Sequence, residues 1–123
     1  MSTRPQVVDG LATVREAIDL MREQGVSSVI VDRRDDDDEY GIVVIHDVAE
    51  QVVSRNRSPD RTNVYEIMTK PVVSLDADMN IKYGARLLFR LGLSRAIVIE
   101  NGKLVGVVTL RDMVLRFVGD SAS

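Results

Sequence analysis

The sequence has 123 residues, 45% hydrophobic and 28% charged, proportions that are typical of a soluble globular protein. It contains no cysteine, which excludes disulfides and cysteine nucleophiles, and no apolar run is long enough to span a membrane. A net charge of −3 and few aromatic residues argue against nucleic-acid binding, which requires a basic face or a stacking platform. The first residues have no apolar segment of signal type, so we expect a cytoplasmic protein.

The first half of the chain predicts a strand, a helix, two strands and a second helix, in that order. A short β-branched segment at 6–8 precedes a run with helical spacing of apolar residues at 14–21. Short apolar runs at 29–31 and 40–45 predict two strands, and a helix opens near Asp47.

The second half repeats this order at an offset of 65 to 67 residues. The corresponding elements are a strand at 72–75, a helix at 81–88, strands at 96–99 and 104–109, and a helix near Asp112. Both copies have the same types of capping residue at their first helix, with a polar residue before it and a glycine after it. These four residues are Thr13, Asn80, Gly25 and Gly92.

A polar connector and a linker join the two copies. Residues 54–61 are polar, and the sequence from Asn63 to Glu66 is typical of a capping box that opens a short helix ending before Pro71. We therefore assign residues 1–61 to a first repeat with its connector and residues 62–123 to a linker helix and a second repeat.

The charges are distributed unevenly between these halves. Residues 1–61 contain 8 basic and 13 acidic residues, a net charge of −5, whereas residues 62–123 contain 8 and 6, a net charge of +2. The acidic run from Asp35 to Glu39 predicts a solvated, mobile loop, since it lacks the spaced ligands and glycine of a calcium loop. His46 is the only histidine, so it predicts neither a metal site nor a catalytic triad.

The repeat resembles the cystathionine-β-synthase (CBS) domain, present as a tandem pair that is often called a Bateman module. Three segments carry the resemblance: the linker 66–74 (EIMTKPVVS), residues 92–98 (GLSRAIV) and residues 106–112 (GVVTLRD). The resemblance implies a fold of the α/β (α+β) class, with two β-α-β-β-α repeats packed sheet to sheet about a pseudo-twofold axis. It also implies a regulatory module that binds AMP, ADP, ATP or S-adenosylmethionine between the repeats, commonly as a homodimer and without catalysis.

The resemblance places the main ligand site in the second repeat. Asp112 would accept hydrogen bonds from the ribose hydroxyls, Thr109 would bond the phosphate or ribose, and Arg95 would face the phosphates. The helix after Thr109 would add its N-terminal dipole. The same Thr-x-x-Asp pattern is also typical of a helix cap that binds nothing.

The remaining site residues follow from the same resemblance. The wall against the base would come from Val26, Ser27, Ser28, Val7 and Val108. A weaker second site would use Asp47, Leu93 and Ser94, since Val44 and Ser28 stand where the better site has Thr109 and Arg95.

Two hypotheses of different classes stay open. The first is a sensor that binds an adenosine ligand and signals to an unknown separate protein, with no membrane or nucleic-acid partner. The second is a ligand-free dimerisation module in which Thr109 and Asp112 only cap a helix. An enzyme is disfavoured because the sequence has no glycine-rich phosphate loop and no nucleophile elbow. No cofactor or metal is expected, although Mg²⁺ could accompany a nucleotide's phosphates.

Overall fold

The computed structural model describes residues 5–70 and 72–122, and it contains two compact units. Gln6–Val72 forms the first, and the described residues from Val73 onward belong to the second. The linker belongs with the first repeat, because Asn63 bridges to Thr13, Thr69 bridges to Ile42, and the Val64 side chain is fully buried in the first core. The compact units therefore divide after residue 72, whereas the sequence analysis divides the repeats after residue 61 and assigns the linker to the second repeat. Pro71 of the linker motif lies outside the described residues.

The first unit follows the predicted order of elements. It contains β1 (Val7–Val8), α1 (Val14–Gln24), β2 (Ser28–Val31), β3 (Gly41–Val44) and α2 (Ile45–Val48). Strand β2 pairs with β1 in parallel and with β3 in antiparallel, which gives a three-stranded sheet. Helix α2 continues as a π-helical turn at Ala49–Val53, and a 3₁₀ turn follows at Val64–Glu66.

The second unit has the same topology. It contains β4 (Ser74–Asp76), α3 (Ile81–Leu91), β5 (Arg95–Glu100), β6 (Lys103–Thr109) and α4 (Leu110–Ala122). Strand β5 pairs with β4 in parallel and with β6 in antiparallel. The predicted α+β fold of two β-α-β-β-α repeats is therefore confirmed.

The helix ends form as the sequence predicts. The Thr13 hydroxyl accepts a hydrogen bond from the Glu16 N–H at 3.1 Å, and the Asn80 side chain accepts one from the Lys82 N–H at 2.9 Å. Gly25 and Gly92 end the two helices with φ of 65° and 69°, values that a residue with a Cβ adopts only at a cost. These caps fix where each helix begins and ends, and therefore where the following strand can begin.

Each unit has its own core between one face of its sheet and its helices. In the first unit, Ala17 and Met21 of α1 pack against β2 and β3. In the second, Gly84 and Leu88 of α3 occupy the equivalent buried positions. Because strand side chains alternate, every second strand residue faces this core. The residues that do so are Val29, Val31 and Val43 in the first unit and Ala96, Val98 and Val108 in the second.

The hairpin turns of the two repeats differ. Asn101 and Gly102 both have positive φ, 52° and 77°, as a tight Asn-Gly hairpin turn requires. The first repeat has the Asp-rich loop instead, and most of it is exposed as predicted. Asp38 is the exception, because its side chain is 9% exposed and bonds Lys70 of the linker at 2.5 Å.

Candidate functional site

Arg95 and Thr109 face each other at one end of the second sheet. They are direct partners in the antiparallel register of β5 and β6. Their neighbours Ala96 and Val108 are also partners and point into the core, so Arg95 and Thr109 project from the opposite face. Directly opposed residues of this kind have Cβ atoms about 5 Å apart. Two of the three predicted ligand-binding side chains are thereby brought together.

Asp112 joins this pair through the start of α4. Its N–H donates to the Thr109 hydroxyl oxygen at 3.0 Å, so Thr109 caps the helix and Asp112 lies in the first turn. Within the described residues, no hydrogen bond or ion pair of the Asp112 carboxylate is found. The site therefore presents a half-buried acceptor group beside a hydroxyl that still has its proton to donate.

The loop before β5 is tied to the same helix start. The Leu110 N–H donates to the Ser94 carbonyl at 2.8 Å, which fixes Ser94 beside Thr109. The Leu93 N–H donates to the Leu88 carbonyl at 2.9 Å, and its half-buried side chain packs against the second core. Leu93 therefore supports the loop from inside, whereas Ser94 is exposed.

The placement of Val108 in the base wall is corrected. Its side chain is 7% exposed and packs with Leu88 and Met113, on the helix side of the sheet. Val107 lies on the same face as Arg95 and Thr109 and is half-buried. Sequence alternation shows that only one of the two valines can face the site, but it does not say which.

The equivalent place in the first repeat has the same backbone and different chemistry. Ser28 and Val44 are register partners, and the Ile45 N–H donates to the Ser27 carbonyl at 2.9 Å, as Leu110 does to Ser94. Val44 has no hydroxyl to cap α2. The Asp47 carboxylate turns back instead and accepts a hydrogen bond from the Val44 N–H at 3.0 Å. Asp47 is therefore engaged by its own helix.

The other residues predicted for the wall against the base lie in the strands β1 and β2 and in the loop before β2. Val7 is 41% exposed and pairs with Ile30 in β1, on the same sheet face as Ser28. Val26 is half-buried against the first core, and Ser27 is exposed. Val7 and Ser28 thus project from the same face of the first sheet, and the Val26 side chain is largely taken up by packing.

A cavity of about 380 Å³ in the second unit was not predicted. It opens on the helix side of the sheet, and Arg95, Thr109 and Asp112 do not line it. Gly84 is the sequence feature that marks it, because a side chain there would meet Leu75 and Met113. The described lining residues are Leu75, Asp76, Ala77, Met79, Asn80, Ile81, Gly84, Val98, Val108, Met113, Arg116 and Phe117.

The single histidine of the sequence lies at the protein surface. The His46 side chain is 80% exposed and lies 3.4 Å from Glu50. Among residues 5–70 and 72–122, no cluster of three or more potential metal ligands is found. In the same residues, no helix has both the length and the hydropathy to cross a membrane.

Comparisons with known proteins agree with the repeat. The profile of the CBS domain matches residues 1–54 and 64–119. An uncharacterised protein of Methanopyrus kandleri is 36% identical over 95 residues, which are 76% of this chain and 48% of that protein. The chain thus spans about half the length of that curated relative.

Solved structures have the same fold. A hexameric CBS-CP12 protein from bloom-forming cyanobacteria superposes with a TM-score of 0.89 at 34% identity, over 97% of this chain and 70% of that one. A CBS-domain protein of Pyrobaculum aerophilum, solved in complex with AMP, superposes with a TM-score of 0.80 at 20% identity, over 97% and 95% of the two chains.

Proposed function

We propose, from the premise that this chain belongs to the CBS-domain family, that it is a regulatory module whose second repeat binds a phosphorylated adenosine ligand. The ligand class is an adenosine mono- or diphosphate, and the bound state is read by a separate protein. The observation that carries the proposal is the Asp112 carboxylate, which bonds none of the described residues and lies beside the opposed pair of Arg95 and Thr109.

The chemistry of these groups fits a ribose phosphate. A carboxylate can accept hydrogen bonds from two vicinal hydroxyls at once, which discriminates a ribose from a deoxyribose. The Arg95 guanidinium offers paired donors to phosphate oxygens. The Thr109 hydroxyl can donate to the same phosphate while its oxygen caps α4, and the positive end of this 13-residue helix favours an anion.

For the wall against the base we keep the residues that the resemblance implies, Val7, Ser27 and Ser28, with Val26 as a support, and we replace Val108 by Val107. An AMP complex of a protein with this fold supports the choice of ligand class. We expect the second site, at Asp47 with Leu93 and Ser94, to be weak, because the Asp47 carboxylate already accepts the Val44 N–H and Val44 has no hydroxyl to donate to a phosphate.

The alternative is a ligand-free interaction module, and one observation favours it. The Thr109 hydroxyl does cap α4, as this hypothesis requires. A cap alone does not, however, account for the Asp112 carboxylate, which is half-buried and bonds no described residue. The two hypotheses therefore predict different effects of removing the Asp112 carboxylate on nucleotide binding.

Thermal unfolding with and without nucleotide separates the two. A ligand at about 100 times its dissociation constant stabilises the folded state by about 2.7 kcal/mol, which is several degrees in Tm for a domain of this size. We expect such a shift with AMP or ADP, and we expect Asp112→Asn to abolish it while the ligand-free Tm stays within about 2 °C.

The matched control is Asp47→Asn, the equivalent change in the first repeat, which should retain the shift. The same measurement with ATP and S-adenosylmethionine shows which of the four compounds gives the largest shift in Tm. Absence of a shift with all four compounds in the unmodified protein would refute the sensor and favour the interaction module.

A further inference from the structure

The cavity of the second unit and the core of the first unit are built from equivalent residues. The strand registers of the two sheets agree with the offsets of 65 and 67 residues between the repeats. The apolar residues that line the cavity include Leu75, Met79, Ile81, Gly84, Val98, Val108, Met113 and Phe117. In the same order, their counterparts are Val8, Ala12, Val14, Ala17, Val31, Val43, Val48 and Val52, which all belong to the first core or pack against it.

In the first unit, a segment that follows the repeat completes this core. We call residues 59–68 the closing segment. The Val64 side chain is fully buried and the Ile67 side chain is 6% exposed, and both belong to the first core. Tyr65 between them is 51% exposed, so the segment turns its apolar residues to one side. In the described part of the second unit, no segment lies in the equivalent place, and the cavity of about 380 Å³ remains open.

The backbone contacts of the closing segment also have open counterparts. The Val14 N–H donates to a carbonyl of the segment, and the Ala12 carbonyl accepts an N–H from it, both at 2.8 Å. The equivalent groups of the second unit are the Ile81 N–H and the Met79 carbonyl. Neither forms a hydrogen bond with any residue among 5–70 and 72–122. An N–H in the first turn has no acceptor within its own helix, so both groups are available to a peptide.

The charge beside this place is repeated as well. In the first unit, the Arg15 guanidinium forms two hydrogen bonds to the Asp60 carboxylate of the closing segment, at 3.0 and 3.1 Å. The equivalent residue of α3 is Lys82, which has no acidic partner in the part of the chain that the structure describes. An exposed ion pair adds little affinity, but it helps to set the orientation in which a segment binds.

We propose that the cavity of the second unit, together with the start of α3, binds a short segment of a separate protein that has the pattern of the closing segment. This pattern is an acid, an apolar residue four positions later and a second apolar residue three positions after that, as in Asp60, Val64 and Ile67. That a separate partner exists rests on the proposed function, whereas the docking itself needs no bound nucleotide.

Each part of such a segment has a group to contact. The two apolar side chains enter the cavity, the main chain bonds the Ile81 N–H and the Met79 carbonyl, and the acid meets Lys82. Main-chain hydrogen bonds supply affinity in this mode of recognition, and pockets for side chains supply specificity. A second copy of the chain is not the occupant, because its Val64 side chain is already fully buried in its own first unit.

A synthetic copy of the closing segment is the probe. A fluorescein-labelled peptide with the sequence of residues 59–68 (PDRTNVYEIM) is titrated with the full chain, and fluorescence anisotropy measures its binding. We expect saturable binding that Val64→Asp in the peptide weakens at least tenfold, because a carboxylate is costly to bury in an apolar cavity. Tyr65→Ala in the peptide is the control and should change the affinity less than about threefold, because that side chain is half exposed in the first unit.

Photo-cross-linking locates the bound peptide. In the first unit Tyr65 lies beside Gly10, where an added Cβ would be 3.7 Å from the Tyr65 Cβ. The counterpart of Gly10 at an offset of 67 is Ala77. A benzoylphenylalanine at the Tyr65 position of the peptide should therefore link to residues 76–79. Links to residues 9–12 would mean that the peptide displaces the closing segment from the first unit, and they would overturn the proposal.

Charge reversal on α3 tests the orientation. We expect Lys82→Glu to weaken peptide binding about fivefold at low salt and less at higher salt. Arg86→Glu, one turn further along α3 and outside the cavity lining, is the control and should change binding less than about twofold. Both side chains are exposed, and circular dichroism verifies that the variants are folded. If a variant does not fold, the peptide substitutions and the cross-links decide alone.

Three further outcomes would overturn the proposal. They are equal affinities of the unmodified and Val64→Asp peptides, equal effects of Lys82→Glu and Arg86→Glu, and no saturable binding at the highest protein concentration reached. Each of them leaves the expected shift of Tm with nucleotide unaffected, so this proposal and the proposed function fail separately.

Discussion

Residues 44 and 109 show how one side chain decides the chemistry of each repeat. Both precede a helix, and both lie at the end of a strand of the same register. Thr109 caps α4 with its hydroxyl, whereas Val44 leaves this role to the Asp47 carboxylate. The acid three residues on is therefore engaged in the first repeat and left without a described partner in the second.

Removal of the Thr109 hydroxyl should destabilise the protein even without ligand. We expect Thr109→Val to lower the free energy of unfolding by about 1 kcal/mol, as loss of a helix cap does, and Thr109→Ser to restore most of it. Urea unfolding of the three proteins measures this. Equal midpoints for Thr109→Val and the unmodified protein would show that the cap contributes nothing.

Sequence reasoning predicted these caps because capping depends on residue type at a fixed spacing. Thr13, Asn80, Gly25 and Gly92 all behave as predicted. The prediction that Val108 lines the base wall was wrong. Two adjacent valines have equal hydropathy, and only the register with Ala96 shows which of them faces the core.

At the scale of elements, the Asp-rich loop and the linker are joined by one acid. The Asp38 carboxylate bonds Lys70 and also accepts from the Arg34 N–H at 2.9 Å. Lys70 and the backbone of Arg34 hold the pKa of Asp38 well below its usual value of 3.8. The sequence of five consecutive acids does not indicate which of them forms an ion pair. That depends on the position of Lys70, which is more than thirty residues later in the chain.

This contact predicts a pH dependence with a definite sign. Because the pKa of Asp38 is lower in the folded state, the folded state binds fewer protons below about pH 5. The stabilisation is therefore complete above the unfolded pKa and is lost as the pH falls through and below it. We expect Tm to fall between pH 5 and pH 3, and to fall less steeply in Asp38→Asn.

Glu66 serves as the comparison in that experiment. Its pKa is also lowered, by the Asn63 N–H and then by Arg57, so part of the acid sensitivity should persist in Asp38→Asn and diminish further when Glu66→Gln is added. If the pH profile of both variants matches that of the unmodified protein, these carboxylates are not responsible for it.

Gly84 of α3 is packed closely against side chains of β4 and α4. A Cβ at this position would lie 3.2 Å from Leu75 Cδ1 and 3.3 Å from Met113 Sδ, so these two side chains must move to accommodate a larger residue. We expect Gly84→Val to lower the free energy of unfolding by about 2 kcal/mol through overpacking. Gly119→Val in α4 is the control, because a Cβ there meets nothing within 4 Å.

At the scale of the whole molecule, the two repeats share a fold and differ in chemistry. The second unit has a hydroxyl, a guanidinium and an available acid at its strand ends, whereas the first has a valine, a serine and an engaged acid. The fold was predictable because each helix and strand has a counterpart in the other repeat, so two copies of the same hydropathy and capping pattern support each assignment. The packing of the linker against the first unit was not predictable, because the Asn63 and Thr69 bridges join residues far apart in the chain.

This asymmetry predicts the stoichiometry of binding. Titration calorimetry with AMP or ADP should give one nucleotide per chain. The double variant Ser28→Arg and Val44→Thr, which copies the second repeat into the first, should raise the number towards two. A value of two in the unmodified protein would contradict the assignment of the first repeat as the weaker site.

The capping bond of the first repeat also makes changes at positions 28 and 44 depend on each other. While residue 44 is a valine, the Asp47 carboxylate accepts the Val44 N–H, so a guanidinium introduced at position 28 alone lies beside an acid that already has a partner. A hydroxyl at position 44 can take over the cap, as Thr109 does in the second repeat, so the effect of the two substitutions together should exceed the sum of their separate effects.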